Sequence, residues 1–197
     1  MKKWLFLIIA VVAILTACTA TTNEEITIKP LEDSEYTRTF QELHLGYIWD
    51  FNFALPQADQ RTVQLWVEKY SDGQRDENFE ASLQYGMSPS DFEEGHIGAG
   101  LMDGEAFSLF LYAPSVKAKP QAIENLNLDT GMYTWEYAFQ EKQALQLNTE
   151  YIIGTFRHSL KDAMRSGYDL SNEEEVQQLL HDDTNVLLLK IKVTESE

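Results

Sequence analysis

Four side chains able to hold a divalent cation crowd into six residues of this sequence: Asp91, Glu93, Glu94 and His96, in Asp-Phe-Glu-Glu-Gly-His. Carboxylate oxygens and an imidazole nitrogen are ligands for such ions, so these four are the candidate metal site. The other histidines, His44, His158 and His181, are far apart, and none of the four belongs to a His-Glu-x-x-His motif. Tyr70 to Asn78 lacks the alternating acids of a calcium loop and reads as a turn. No Gly-x-Ser-x-Gly elbow offers a serine nucleophile. Gly95, Gly98 and Gly100 match neither the dinucleotide fingerprint nor the phosphate loop. In a strand, such glycines mark a bulge or a close approach of chains. No catalytic residue is assigned. The candidate enzyme chemistry is a hydrolase or metal-dependent reaction built on scattered carboxylates and His96.

A second kind of candidate is a recognition surface. In Thr-Val-Gln-Leu-Trp-Val, alternation places Val63, Leu65 and Val67 on one face and Gln64 and Trp66 on the other. With the aliphatic face turned inward, Trp66 and Gln64 form a candidate binding site, since tryptophans anchor recognition surfaces.

The elements that would carry these residues are mostly strands. Residues 45–53 place Tyr47, Trp49, Phe51 and Phe53 on one face and Ile48, Asp50 and Asn52 on the other. Ser71-Asp72-Gly73 is a turn signal and 81–86 a short strand. Residues 96–113 predict a hairpin with a two-residue turn at Asp103-Gly104. Tyr133, Trp135, Tyr137 and Phe139 alternate toward a core, and 185–193 form a closing strand. One helix is predicted at 171–180, with Ser171 as N-cap, Glu174 completing a capping box, and Val176, Leu179 and Leu180 as an apolar stripe over one end of the fold. The fold class is therefore mainly β, an antiparallel β-sandwich with one helix near the C-terminus.

The only cysteine, Cys18, has a different context. Lys2 and Lys3 precede twelve uninterrupted apolar residues, Trp4 to Leu15. A charged start, a short apolar run and small residues after it are the parts of a secretory signal peptide. The run falls short of the roughly 20 residues that span a bilayer. Leu15-Thr16-Ala17-Cys18 resembles the lipobox of bacterial lipoproteins. That resemblance implies removal of residues 1–17, a diacylglycerol on the Cys18 sulfur, and attachment to the outer face of the cell membrane, or to an outer membrane where one exists. Two acyl chains hold firmly where one holds marginally.

Without residues 1–17 the chain carries 13 basic against 32 acidic residues. So acidic a protein is repelled by nucleic acid and by anionic head groups, which excludes nucleic-acid partners and leaves adhesion to the lipid. Residues 18–40, polar apart from Ile-Thr-Ile, read as a flexible tether, and 41–197 as a single domain. No cofactor is expected beyond the lipid.

Leu145 to Phe156 resembles the tyrosine corner of fibronectin type III and related immunoglobulin-like sandwiches. The resemblance implies that the Tyr151 hydroxyl bonds back to the upstream backbone above Leu145. The functional expectation is a non-catalytic, lipid-anchored binding or accessory module. Its candidate partners are an envelope protein, a wall component or a cationic ligand.

Overall fold

Trp49, Phe51 and Phe53 are essentially fully buried, as their alternation requires. Around them the computed structural model, which describes residues 25–124, 126 and 128–196, is a mainly β, antiparallel β-sandwich of two sheets. Cys18 and residues 1–17, the expected signal peptide, lie outside the described residues.

The elements in chain order are β1 (Ile26–Pro30), α1 (Glu35–Glu42), β2 (Gly46–Pro56), β3 (Arg61–Ser71), β4 (Gln74–Arg75), β5 (Ala81–Gly86), β6 (Phe92–Met102), β7 (Ser108–Ala113), β8 (Val116–Lys117), β9 (Gln121–Ala122), β10 (Met132–Tyr137), β11 (Gln143–Leu145), β12 (Glu150–Ser159), α2 (Glu173–Asp182) and β13 (Asn185–Glu195). Sheet A runs β11-β1-β2-β6-β7-β8, with β9 also on β7; sheet B runs β10-β12-β13-β3-β4, with β5 also on β3. Every pairing is antiparallel.

The sheets face each other across one core drawn from both, including Trp49, Phe51, Leu65, Ile97, Phe156 and Leu189. Trp49 bridges the layers. Its indole Nε1 donates to the Glu136 carbonyl of β10 at 3.0 Å, and a Cβ on Gly154 would come within 2.6 Å of the ring. A glycine is therefore needed in β12 for the indole to lie flat against the opposite sheet. Gly98 has the same kind of role, because a Cβ there would meet the Trp49 carbonyl oxygen.

The chain crosses from sheet A to sheet B between β11 and β12. There the Tyr151 hydroxyl accepts a hydrogen bond from the Gln146 N–H at 3.0 Å, above the buried Leu145. Asp72 and Gly73 both have positive φ, 50° and 76°, and Ser71 pairs with Gln74. That is the two-residue hairpin turn that follows the strand twist.

Several expectations need correction. Residues 26–40, part of the expected tether, belong to the domain: Thr27 pairs with Ala144 and Ala54, so β1 is an interior strand of sheet A. The Ile-Thr-Ile alternation was its signal, with Ile26 and Ile28 buried. A second helix, α1, follows, capped by Ser34, whose hydroxyl accepts from the Thr37 N–H at 3.1 Å. Its Tyr36 and Phe40 pack on His96, Tyr112 and Phe110, which covers part of the outer face of sheet A. Ile48 and Asp50, read as outward, are consequently buried as well.

The hairpin at Asp103-Gly104 is longer than two residues. Met102 pairs with Ser108, and the Asp103 N–H is taken by the Leu45 carbonyl of the neighbouring strand entry at 2.9 Å. Helix α2 begins one residue later than expected. Ser171 turns back to Asp169 through both N–H and hydroxyl, leaving Asn172 to cap the N–H groups of Glu174 and Glu175. Its Leu179 and Leu180 pack on Val186 and Leu188, whose neighbours Leu187 and Leu189 enter the main core. The helix thus lies on the outer face of sheet B, not over an end of the sandwich. Tyr133 is half exposed rather than core: β10 is an edge strand, and the Tyr133 ring packs at the margin of the core against Tyr47 and Phe156.

Candidate functional site

Strand β3 alternates as the sequence requires. Val63, Leu65 and Val67 enter the core, Gln64 is exposed and Trp66 half-buried on the outer face of sheet B. Trp66 does not stand alone there. Its Nε1 donates to Glu68 Oε1 at 3.2 Å, the Tyr70 hydroxyl donates to Glu68 Oε2 at 2.9 Å, and Lys190 Nζ sits 3.1 Å from the same carboxylate. Arg75 approaches it at 3.5 Å. Lys190 also lies 5.7 Å from the Trp66 ring centroid, a cation–π distance. One buried carboxylate therefore fixes a tryptophan, a tyrosine and two cations on one face.

Burial works against ionisation of Glu68, but the bonds from Trp66, Tyr70 and Lys190 outweigh it and hold the carboxyl below its ordinary 4.5. The folded chain then binds fewer protons at this group than the unfolded chain. Its contribution is present at neutral pH and lost as pH falls below about 4.5 and through the lowered folded value. Glu68→Gln should give a shallower acid loss of stability than the native chain, read as the urea midpoint between pH 6 and pH 3.

Two depressions flank this cluster. One, of about 570 Å³, is lined by Gln64, Trp66, Arg75, Phe79 and Ser82. The other, of about 900 Å³, lies between α2 and the sheet and is lined by Tyr70, Ile152, Tyr168, Leu188 and Lys190. Glu150 borders both. Volumes of this order suit small ligands or short chain segments. The wall of the larger one is held by Arg157, which is 2% exposed in its side chain and lies 3.4 Å from Asp183. Arg157 Nη2 donates to the Arg165 carbonyl at 2.9 Å, and its guanidinium stacks on Tyr168. Burial raises the Asp183 carboxyl despite that arginine.

The acid–histidine run is dispersed by the period of its strand. In β6, Glu94 and His96 fall on the outer face of sheet A and Glu93 on the other. Glu93 is raised by its burial. Glu94 accepts from Asn52 Nδ2 at 2.7 Å, and Asp91 is exposed in the loop before β6. Among the described residues, no three His, Cys, Asp or Glu side chains gather as a metal site.

His96 instead meets a residue that sequence reasoning passed over. Its Nδ1 lies 2.9 and 3.0 Å from the two carboxylate oxygens of Asp50, which is fully buried. The Tyr112 hydroxyl donates to Asp50 Oδ1 at 2.9 Å. Since a carboxylate accepts, Nδ1 carries the hydrogen and Nε2 points away from Asp50. The only trace of this in the sequence is an aspartate inside an otherwise aromatic strand. Its partner becomes visible only once β2 is registered on β6.

Among the described residues no helix is long and apolar enough to cross a membrane. Compared with known family models, with curated proteins and with solved structures, the chain shows no match.

Proposed function

We propose that the chain is an exported, lipid-anchored, non-catalytic binding or accessory module of a bacterial cell envelope, and that its ligand surface is the outer face of sheet B around Trp66 and Gln64. The observation that carries this reading is the Glu68 cluster, which holds Trp66 in place beside two depressions. A tryptophan fixed before binding loses little conformational entropy on contact, which favours an anchor role. The partner is an envelope protein, a wall component or a cationic ligand, in keeping with the acidic charge.

Crosslinking in cells followed by pull-down tests it. The native chain should capture a reproducible partner, and Trp66→Ala with Gln64→Ala should reduce capture by roughly tenfold or more. Equal capture by native and variant chains would remove this surface from the proposal.

A second reading, an envelope hydrolase or metal-dependent enzyme, is favoured by the Asp50–His96 pair, since a carboxylate on one imidazole nitrogen orients the other as a base or ligand. In the same cells, a phenotype kept by Trp66→Ala but lost in His96→Gln would support that reading instead.

A further inference from the structure

We infer that the domain stands on the membrane on one end of its sandwich, the end at which β1 begins, with Met87 and Phe92 toward a zwitterionic lipid surface. This rests on the Cys18 anchor proposed above.

The structure shortens the tether. With β1 starting at Ile26, only residues 19–25 separate Cys18 from the sandwich. Seven residues reach at most about 25 Å, at roughly 3.3–3.6 Å each. The long strands β2, β3, β6 and β13 each have 11 residues, about 35 Å at ~3.3 Å per residue. The attachment is therefore shorter than the body it holds.

The register states which end is held. Thr27 pairs with Ala54, Ala54 with Glu94 and Pro56 with Phe92. Ile26 thus lies two strands from the start of β6, about 10 Å at ~4.8 Å per strand. The same end carries the β2–β3 turn, the 87–91 loop and the end of β13. They are joined by hydrogen bonds from Met87 N to the Arg61 carbonyl, Ser88 N to the Ala58 carbonyl and Ser196 N to the Gln60 carbonyl. The opposite end begins at Gly46 and Met102, eight residues further along β2, so it stands about 27 Å farther from the attachment.

Two large apolar side chains mark the held end: Met87 is 58% exposed and Phe92 41%. Beside them stand Asp59, Asp91 and Glu94, all exposed. Carboxylates here are repelled by anionic head groups, which selects a zwitterionic surface and gives contact without deep insertion. The Trp66 face and the Asp50–His96 pair then lie along the flanks, and the 43–45 and 103–107 segments point away from the bilayer.

Lipidation blocks the Cys18 sulfur, so a second cysteine can be labelled selectively. Asp59→Cys at the held end and Glu105→Cys at the far end each remove one exposed acid, which matches their charge. Each full-length lipidated protein, bearing a donor dye, is placed in phosphatidylcholine vesicles containing an acceptor-labelled lipid. Vesicle flotation is measured alongside energy transfer.

The expected result is flotation of both proteins with transfer at least threefold more efficient from position 59. Adding Met87→Ser and Phe92→Ser should narrow that ratio, and an unchanged ratio would overturn the contact by these two side chains. Flotation with equal transfer from both positions overturns the orientation while leaving the anchor intact. No flotation of either protein overturns the anchor, and this inference with it.

Discussion

Trp49→Ala should destabilise the fold by about 3–5 kcal/mol, the range for deleting a buried aromatic ring from a packed core. Trp49 is 0% exposed and reaches from sheet A to sheet B, where its indole bonds to the Glu136 carbonyl and lies over Gly154. Removing it opens a void between the layers and strands a backbone acceptor. Neighbours cannot collapse into the space without moving a strand. Trp49→Phe should cost less, since it keeps a six-membered ring in the core but loses the hydrogen bond, worth about 1 kcal/mol, and leaves a smaller void where the pyrrole half of the indole lay over Gly154. Urea unfolding of the domain monitored by circular dichroism would measure both. A loss under about 1 kcal/mol for Trp49→Ala would show that the indole does not couple the sheets.

Cys18→Ala should move nearly all of the protein out of the membrane fraction or leave it as an uncleaved precursor. Each buried methylene of an acyl chain contributes about 0.8 kcal/mol, and two chains together give stable attachment where one does not. The acidic domain has no compensating attraction to anionic lipid. Losing the thioether therefore removes the holding force rather than weakening it. Fractionation and metabolic labelling with palmitate would measure the outcome. Native-like membrane recovery and processing of the variant would refute the lipid-anchor reading of residues 15–18.

How far the fold could be read from the chain depended on how local each signal was. The faces of β3 and the burial of Trp49, Phe51 and Phe53 were legible because a period of two survives any tertiary arrangement that covers one side. The bond at Tyr151 was legible because it spans five residues. Asp50 failed the same test. Its outward register is correct, but α1 closes over that face, and helix placement is not encoded in the alternation of a strand. The metal cluster failed for the converse reason. Nearness in sequence from Asp91 to His96 was read as nearness in space, whereas adjacent residues of a strand point to opposite faces. Ile26–Pro30 was passed over because five residues show too little period to stand out from a polar flank.

The sequence by itself determined a mainly β chain with an aromatic core, an acidic composition, and an outward Trp66 and Gln64. These follow from composition and from the two-residue period, both properties of short stretches. Only the tertiary structure decided that Glu68, Tyr70, Lys190 and Arg75 converge on Trp66, that Asp50 and His96 meet, and that seven residues rather than twenty-two separate Cys18 from the sandwich. Each of those depends on which strands pair and in what register. The pairing is selected by burial across the whole core and is invisible to any single segment.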